Sequence, residues 1–392
     1  KPHPFAMCVY FLAEALKKLR AVAAQLDAAN LTKEVILWRG MQDLTIDKDE
    51  VMDKGGTEMA LMSTSRSESS RSSRRHAASV ERWRTDTTPS LPPKRERARE
   101  LGENDDPMAH NAWDDVGWDD GEMEQTDAII RDTPLAAAST AAACVEHAAE
   151  RWDAHYHTNI RNYHDRRYLQ NEFAPLAALL AADAKRAAVL LETGCGAGNA
   201  VLPLLAATRR LRVLACDISA AAVDLVRERC AREALGHRAS SFVWDVGADP
   251  PLPDALPAGG VDVVLSVFTL SALPPDRLAT AFANLYACLA PGGALLLRDY
   301  GRRDLKQLKF ARANGAGGRL PCDGADEWYV RGDGTTVVFF SEARLRELAT
   351  AAGFEVESLA EDHRLVVNRA TQTKMRRVWV AGVFRKPGAP PT

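Results

Sequence analysis

The chain contains no paired-cysteine motif. Its seven cysteines stand at 8, 144, 195, 216, 230, 288 and 322, with no Cys-x-x-Cys and no Cys/His pair at zinc spacing. An odd, scattered set argues against a disulfide framework and a structural zinc, and fits a reducing, cytoplasmic setting. No apolar run approaches the roughly 20 residues that cross a bilayer. The most apolar early stretch, Phe5 to Leu16, is broken by Glu14 and followed by Lys17 and Lys18. A global basic field is missing too: 50 Lys and Arg face 53 Asp and Glu, a net charge of −3. Any nucleic-acid partner must therefore be met by a local patch. What is present is ample core material, 46% hydrophobic residues in a chain of 392. Because the first residue is Lys1, the lack of a signal peptide says little about targeting.

Composition divides the chain. Residues 1–65 carry an amphipathic helical pattern and a short apolar run. Residues 66–112 are rich in Ser, Arg and Pro and poor in aliphatics, a composition that cannot offset its chain entropy; a disordered linker is expected. Residues 113–170 hold an acidic tryptophan motif, Trp113-Asp114-Asp115-Val116-Gly117-Trp118, and a helical cap. Residues 171–387 form the main domain, and 388–392 a tail. Within the main domain apolar runs alternate with helical patterns. Strands are predicted at Val189–Glu192, Arg212–Cys216, Phe242–Trp244, Val261–Val267, Ala294–Leu297, Phe354–Leu359 and Val378–Phe384. The fourth is continuously apolar, as a strand covered on both faces should be. The alternation predicts an α/β fold, a doubly wound, mostly parallel sheet with its ligand at the carboxyl ends of the strands.

Directly after the first of these strands comes Glu192-Thr193-Gly194-Cys195-Gly196-Ala197-Gly198-Asn199. Glycines let the backbone turn tightly and approach a ligand closely. The next strand ends in Asp217, where a carboxylate can accept from two ribose hydroxyls. The third ends in Trp244-Asp245-Val246, where an acid and an apolar neighbour can bracket an adenine. A dinucleotide fingerprint wants a further glycine where Asn199 stands. The Gly-x-Gly-x-Gly spacing, with Glu192 ahead of it and Pro291-Gly292-Gly293 before the fifth strand, resembles class I S-adenosylmethionine-dependent methyltransferases instead.

More specific motifs follow. Leu297-Arg298-Asp299-Tyr300-Gly301, Trp328-Tyr329-Val330-Arg331-Gly332-Asp333-Gly334-Thr335, Val366-Val367-Asn368-Arg369 and the cap sequences Arg151-Trp152-Asp153-Ala154-His155-Tyr156 and Tyr163-His164-Asp165-Arg166-Arg167-Tyr168 resemble the tRNA N3-methylcytidine methyltransferases. The resemblance runs in order from about Trp113 to Pro387. It implies a seven-stranded Rossmann-like sheet with an N-terminal helical cap, S-adenosylmethionine as cofactor, and 3-methylcytidine formed in the tRNA anticodon loop at position 32. It also implies tRNA as partner, with an aminoacyl-tRNA synthetase or another presenting protein as a second. Carried over by position, the cofactor contacts are Trp152, Tyr156, Glu192, Gly194, Gly196, Gly198, Asp217, Asp245, Val246 and Val267. For Trp152 and Tyr156 the plain alternative is an i, i+4 pair packing the cap onto the sheet. His155 stands where the family more often has Phe.

The chemistry needs little acid–base help, because cytosine N3 has an in-plane lone pair. Methylation leaves a positive charge on the ring, which a nearby carboxylate favours. Asp299 is the candidate, its alternative a structural ion pair with Arg298 or Arg302. Arg166, Arg167, Arg298, Arg302, Arg331 and Arg369 are candidates for the local basic surface that binds phosphates. A methyltransferase for a small molecule or protein, and a catalytically idle tRNA-binding homologue, remain open alternatives.

Nothing in residues 1–65 is needed for this reading. Val35-Ile36-Leu37-Trp38-Arg39-Gly40, Gly55-Gly56-Thr57-Glu58 and Ser63-Thr64-Ser65 resemble the Arg and Ser-Thr-Ser motifs of Arg-Ser-Glu mono-ADP-ribosyltransferases. That family's Glu-x-Glu should follow on a later strand. The literal match, Glu122-Met123-Glu124, falls in the acidic segment, so a truncated fold without NAD chemistry is expected.

Overall fold

The structure is a computed structural model, and it describes residues 99–158, 165–181, 187–249, 252–311, 318–324, 326–369 and 371–388. The ADP-ribosyltransferase-like motifs of residues 1–65 lie outside the described residues.

The described chain begins with a short strand, β1 (Ala112–Asp114), and the helix α1 (Asp120–Arg131). Asp119 and Glu122 close α1 with a reciprocal capping box. Glu122-Met123-Glu124 thus sits in a helix, where no ADP-ribosyltransferase would place its acids. Cap helices α2 (Ala138–Glu146) and α3 (Ala148–Thr158) follow, then the short α4 (Leu169–Glu172) and α5 (Ala174–Leu180). The alternating part comprises β2 (Ala188–Thr193), α6 (Val201–Ala207), β3 (Leu211–Asp217), α7 (Ala220–Arg232), β4 (Ala239–Val243), β5 (Val261–Val267), α8 (Leu278–Cys288) and β6 (Leu289–Tyr300). After α9 (Leu305–Ala311) come three short strands, β7 (Gly318–Arg319), β8 (Glu327–Val330) and β9 (Thr336–Phe339). The helix α10 (Glu342–Ala351) and a long hairpin, β10 (Glu355–Asn368) with β11 (Thr373–Arg385), complete the domain.

The main sheet has eight strands in the order β1-β10-β11-β6-β5-β2-β3-β4. Strands β4, β3, β2, β5 and β6 run parallel, and β11 enters antiparallel beside β6. The direction of the strand order reverses at β2, so the loops after β2 and β5 diverge and leave a crevice at their carboxyl ends. Alternation along each strand divides the core between two faces. Leu191, Val264, Leu295 and Leu297 pack with α8 and α10, while Leu190, Val263, Leu265 and Leu296 pack with α5, α6 and α7.

The sheet therefore has one strand more than the seven expected. The extra one, β1, comes from the tryptophan motif: Trp113 pairs with Leu365, is 3% exposed, and packs with Leu365 and Val367. Residues 99–112, read from composition as linker, are likewise folded here. The Arg99 backbone N–H donates to Asp114 Oδ2 at 2.9 Å, and Leu101 and Met108 join the Trp113 cluster. The hairpin strands also run well past the predicted Phe354–Leu359 and Val378–Phe384.

Candidate functional site

The crevice at β2, β3 and β5 holds a cavity whose walls include Trp152 and Tyr156 from α3, Gly194 after β2, Asp217 and Ile218 after β3, and Trp244, Asp245 and Val246 after β4. Phe268, Thr269, Leu273 and Arg277, between β5 and α8, close it. The cap is fixed there by one carboxylate. Asp153 Oδ1 accepts from Ser219 Oγ at 2.5 Å and from the Ala221 N–H at 3.0 Å. Ser219 in turn caps α7 through Ala222 N–H. The acid thus joins α3 to the N-terminus of α7, where negative charge is favoured, and turns Trp152 and Tyr156 toward the cavity. Their rings are 6.1 Å apart and inclined by 29°.

The glycine turn is built for close approach. Gly194 has φ +61°, and a Cβ there would lie 2.3 Å from Thr269 Oγ1. Gly196 has φ +49°, and its Cβ would meet the Tyr156 hydroxyl at 2.6 Å. Gly198 does not line the cavity; its missing Cβ lets α6 and α7 close up, with Leu202 2.8 Å from the Cβ position. Asp217 ties the turn down, its Oδ2 accepting from Gly196 N–H at 2.9 Å and its Oδ1 from Ser219 N–H at 3.0 Å. Burial pushes the Asp217 carboxyl up to about 6. Asp245 accepts from Gly247 N–H and pairs with Arg277 at 3.0 Å.

Two expected cofactor contacts are buried behind the cavity wall rather than in it. Glu192 is 2% exposed, one of its carboxyl oxygens has no hydrogen-bond partner, and burial pushes it up to about 8. Val267 packs its side chain into the core under α6, and only its carbonyl is engaged, accepting from Arg166 Nη1 at 3.2 Å. The residue that reaches the cavity is the next one. Phe268 holds φ +58°, a region an aromatic residue enters only when its surroundings impose it. No sequence signal marks that strain.

Asp299 is not where a catalytic carboxylate would be. It is fully buried, its Oδ2 accepting from Ser271 N–H and its Oδ1 from Tyr300 N–H, each at 2.9 Å. Burial pushes it up to about 6. Neither of the ion pairs considered for it forms. Arg298 pairs instead with Glu172 and Asp362, and Arg302 with Glu327. Alternation explains the outcome: Tyr300 lies on one face of β6, so Asp299 faces the other, against the 270–272 turn.

The six candidate arginines divide similarly. Arg298 is 4% exposed and stacks on Trp379, so it cannot reach a phosphate. Arg302 is held by Glu327 through two hydrogen bonds. Arg166 turns inward over the Phe268 ring at 5.3 Å, and its N–H donates to Asn199 O. Arg167 is half-buried beside α4, and Arg369 lies on the far hairpin end against Asn111. Arg331 lines a second cavity, with Lys306 beside it. Lys306 was missed because nothing in the sequence of α9 shows which of its faces meets the site. Its ammonium is lowered below the ordinary lysine range, first by burial and then by Arg377, Lys309 and Arg331.

The residues present fit the methionine–ribose–adenine shape of S-adenosylmethionine. A glycine cradle that a Cβ would fill, an anchored acid at the ribose position and two aromatic faces able to cover a sulfonium all converge on one cavity. Fold and cavity together define a class I methyltransferase, and the family model for a methyltransferase domain matches residues 163–359. A tRNA N(3)-methylcytidine methyltransferase from Drosophila melanogaster is 39% identical over 287 residues, covering 71% of this chain and 84% of that protein. One from Schizosaccharomyces pombe is 35% identical over 74% of this chain and 91% of its own length. The tRNA(Thr) (cytosine(32)-N(3))-methyltransferase of Saccharomyces cerevisiae is 38% identical over 297 residues, which is 74% of this chain but 45% of that protein. The chain belongs to the tRNA N(3)-methylcytidine methyltransferase family, and its cofactor is S-adenosylmethionine. Among the described residues no helix is long and apolar enough to cross a membrane.

Proposed function

We propose that this chain methylates N3 of a cytidine in the anticodon loop of tRNA, at position 32. The observation that carries the reading is a cofactor cavity that backs onto a second cavity with flat aromatic walls and a cationic rim, the surroundings an extruded base and its phosphates need. Relatives named for this reaction support it.

When bound, the cofactor supplies a methyl group already activated by a sulfonium. The protein's own work is placement and exclusion of water. Tyr156 and Trp152 cover the cavity from α3, Gly194 and Gly196 leave room for backbone approach, and Asp217 and Asp245 offer acceptors for ribose and adenine donors. Holding N3 in line with the methyl carbon is worth up to roughly 7–11 kcal/mol by proximity alone. No general base is required, so the burial of Asp299 at the end of β6 costs the reaction nothing. A cytidine in an anticodon loop is already partly unstacked, which lowers the cost of drawing it out. A synthetase or other tRNA-binding protein that presents the loop is part of this reading; its effect would be a faster rate at limiting tRNA.

The test is incubation of the purified chain with unmodified tRNA and labelled S-adenosylmethionine, followed by nucleoside mass spectrometry. Label in 3-methylcytidine that disappears in Asp217→Ala is the expected result. Label in any other nucleoside, or in no nucleoside even with cell extract added, overturns the reading.

A further inference from the structure

We infer that Asp333 is the carboxylate that receives the target cytosine, accepting from its exocyclic amine and offsetting the positive charge that methylation leaves on the ring. The inference rests on the function proposed above and assigns a residue within it.

The second cavity measures about 140 Å³. Tyr300, Phe310 and Phe339 give it an apolar wall, with Asp333, Arg331 and Lys306 as its charged groups. One layer of side chains separates it from the cofactor cavity. The Arg331 guanidinium lies 5.8 Å from the Trp152 ring, and the Tyr300 ring centroid lies 4.9 Å from that of Phe268. Trp152 and Phe268 belong to the cofactor cavity, so a base entering beside Tyr300 arrives next to the group that carries the methyl.

The polar groups match one pyrimidine edge. Cytosine offers an amine donor, the N3 lone pair and a carbonyl acceptor. The cavity offers one carboxylate acceptor and two cationic donors. Asp333 is held in place for this. Its Oδ1 accepts from the Thr335 N–H at 3.0 Å and the Thr335 hydroxyl at 2.7 Å, and its Oδ2 meets His155 Nδ1 at 3.2 Å. A carboxylate has about four acceptor directions, and these contacts use three. The side chain remains 44% exposed, so the fourth is open to a ligand. Burial pushes the carboxyl up, but the same donors, with Arg331 nearby, outweigh it and hold the carboxyl below its ordinary range. Asp299, the acid at the strand end, can do none of this from inside the core.

The charge balance explains the need for an acid here. The N3 lone pair forms the new N–C bond, the S–C bond breaks with its electron pair left on sulfur, and no proton moves. The formal positive charge passes from sulfonium to the pyrimidine ring, where a fixed anion favours it over the neutral ground state. Uracil would present a carbonyl to Asp333 and a protonated N3 to the methyl, so the same residue discriminates against it.

The test uses the full chain and Asp333→Asn, which retains the oxygen that Thr335 donates to and removes the charge. Three quantities are read: S-adenosylhomocysteine affinity by calorimetry, single-turnover methyl transfer to tRNA with cytidine at position 32, and competition by free cytidine, uridine and 3-methylcytidine. The expected result is cofactor-product affinity within about twofold and transfer slowed at least tenfold. Wild type should also prefer 3-methylcytidine to uridine, and the variant should not. Transfer within twofold of wild type, or a preference for the cationic nucleoside that survives the variant, overturns the inference. If wild type itself labels no tRNA, the proposed function fails, and the nucleoside preference still decides the role of Asp333. Should Asn loosen the turn, seen as lost S-adenosylhomocysteine affinity, Asp333→Glu decides: the cation preference is kept if the charge matters and lost if it does not.

Discussion

Replacing Gly194 with alanine tests whether the cofactor turn is as tightly closed as its geometry says. Two costs can be worked out. The residue sits at φ +61°, where a Cβ costs about 1–2 kcal/mol. The added Cβ would also lie 2.3 Å from Thr269 Oγ1, 2.5 Å from its Cγ2 and 2.9 Å from its Cβ. Thr269 cannot swing aside freely, because its hydroxyl donates to the Thr193 carbonyl at 2.9 Å. Breaking that bond costs about 1 kcal/mol. Together these come to about 2–3 kcal/mol, a fall in Tm of about 4–12 °C for a domain of this size. Because the strain is relieved only by moving the turn away from the ligand, S-adenosylhomocysteine affinity should fall at least about tenfold.

Differential scanning fluorimetry and calorimetry on Gly194→Ala, Gly236→Ala and the Gly194→Ala/Thr269→Gly double variant separate the two costs. Gly236 has nothing within 4 Å of its Cβ position, so its alanine variant should behave as wild type. Thr269→Gly removes all three close contacts but also gives up the bond to Thr193, so the double variant should stay about as unstable as Gly194→Ala while regaining S-adenosylhomocysteine affinity, the turn no longer being pushed aside. If Gly194→Ala matches Gly236→Ala in both Tm and affinity, the turn is not closed against Thr269 and the reasoning is wrong.

Asp299→Asn should lower cofactor affinity and Tm together with turnover, because both carboxyl oxygens hold backbone N–H groups next to the cavity; turnover lost with affinity and Tm intact would restore it as a catalytic acid. Glu192 is pushed from 4.5 to about 8, so between those values the folded chain holds a proton that the unfolded chain has released. Stability then falls as pH rises through that window, and Glu192→Gln should flatten the Tm-against-pH curve between pH 5 and 8; parallel curves for the two proteins would refute this. Lys306→Ala should reduce the salt dependence of tRNA affinity by about one unit of log–log slope, with Kd measured between 50 and 200 mM salt. An unchanged slope would remove Lys306 from the phosphate path.

The parallel half of the sheet was legible because its strands are buried on both faces and therefore read as mainly apolar runs, as Val261–Val267 does despite Asp262 and Ser266. The hairpin was not. On β10 the buried apolar residues, Leu365 and Val367, lie near the turn and not at the core end, and elsewhere Asp362 with Arg298, Arg364 with Asp362, and Arg376 with Glu122 form ion pairs that no hydrophobic pattern records. The linker reading of residues 99–112 failed for a related reason. That segment has little apolar surface of its own and folds by lending Leu101 and Met108 to a cluster built on Trp113. In the site, the glycine spacing and the strand-end acids Asp217 and Asp245 were visible because each must occupy a fixed place after its strand. Phe268 was invisible, since its backbone conformation is imposed by neighbours and not by its own side chain.

The misassigned residues share a physical reason. A strand-end position predicts closeness to the crevice but not which face of the sheet the side chain takes, and the faces here differ completely. On β6 one residue's shift separates the cavity wall at Tyr300 from the sealed core at Asp299, and Arg298, two residues back, is taken up by ion pairs. Arginine content is equally ambiguous. Arg298, Arg302, Arg303 and Arg364 are each matched by a carboxylate on a neighbouring element, so their charge is spent in holding elements together. Near the cavity stand Lys306, Lys309 and Arg331, with Arg377 beside them on Asp304; burial first, and then these neighbouring cations, lower the Lys306 ammonium. Such crowding of like charges is unfavourable in the free protein and is relieved by a polyanion. A chain of net charge −3 can thus present a positive mouth to RNA without a basic composition.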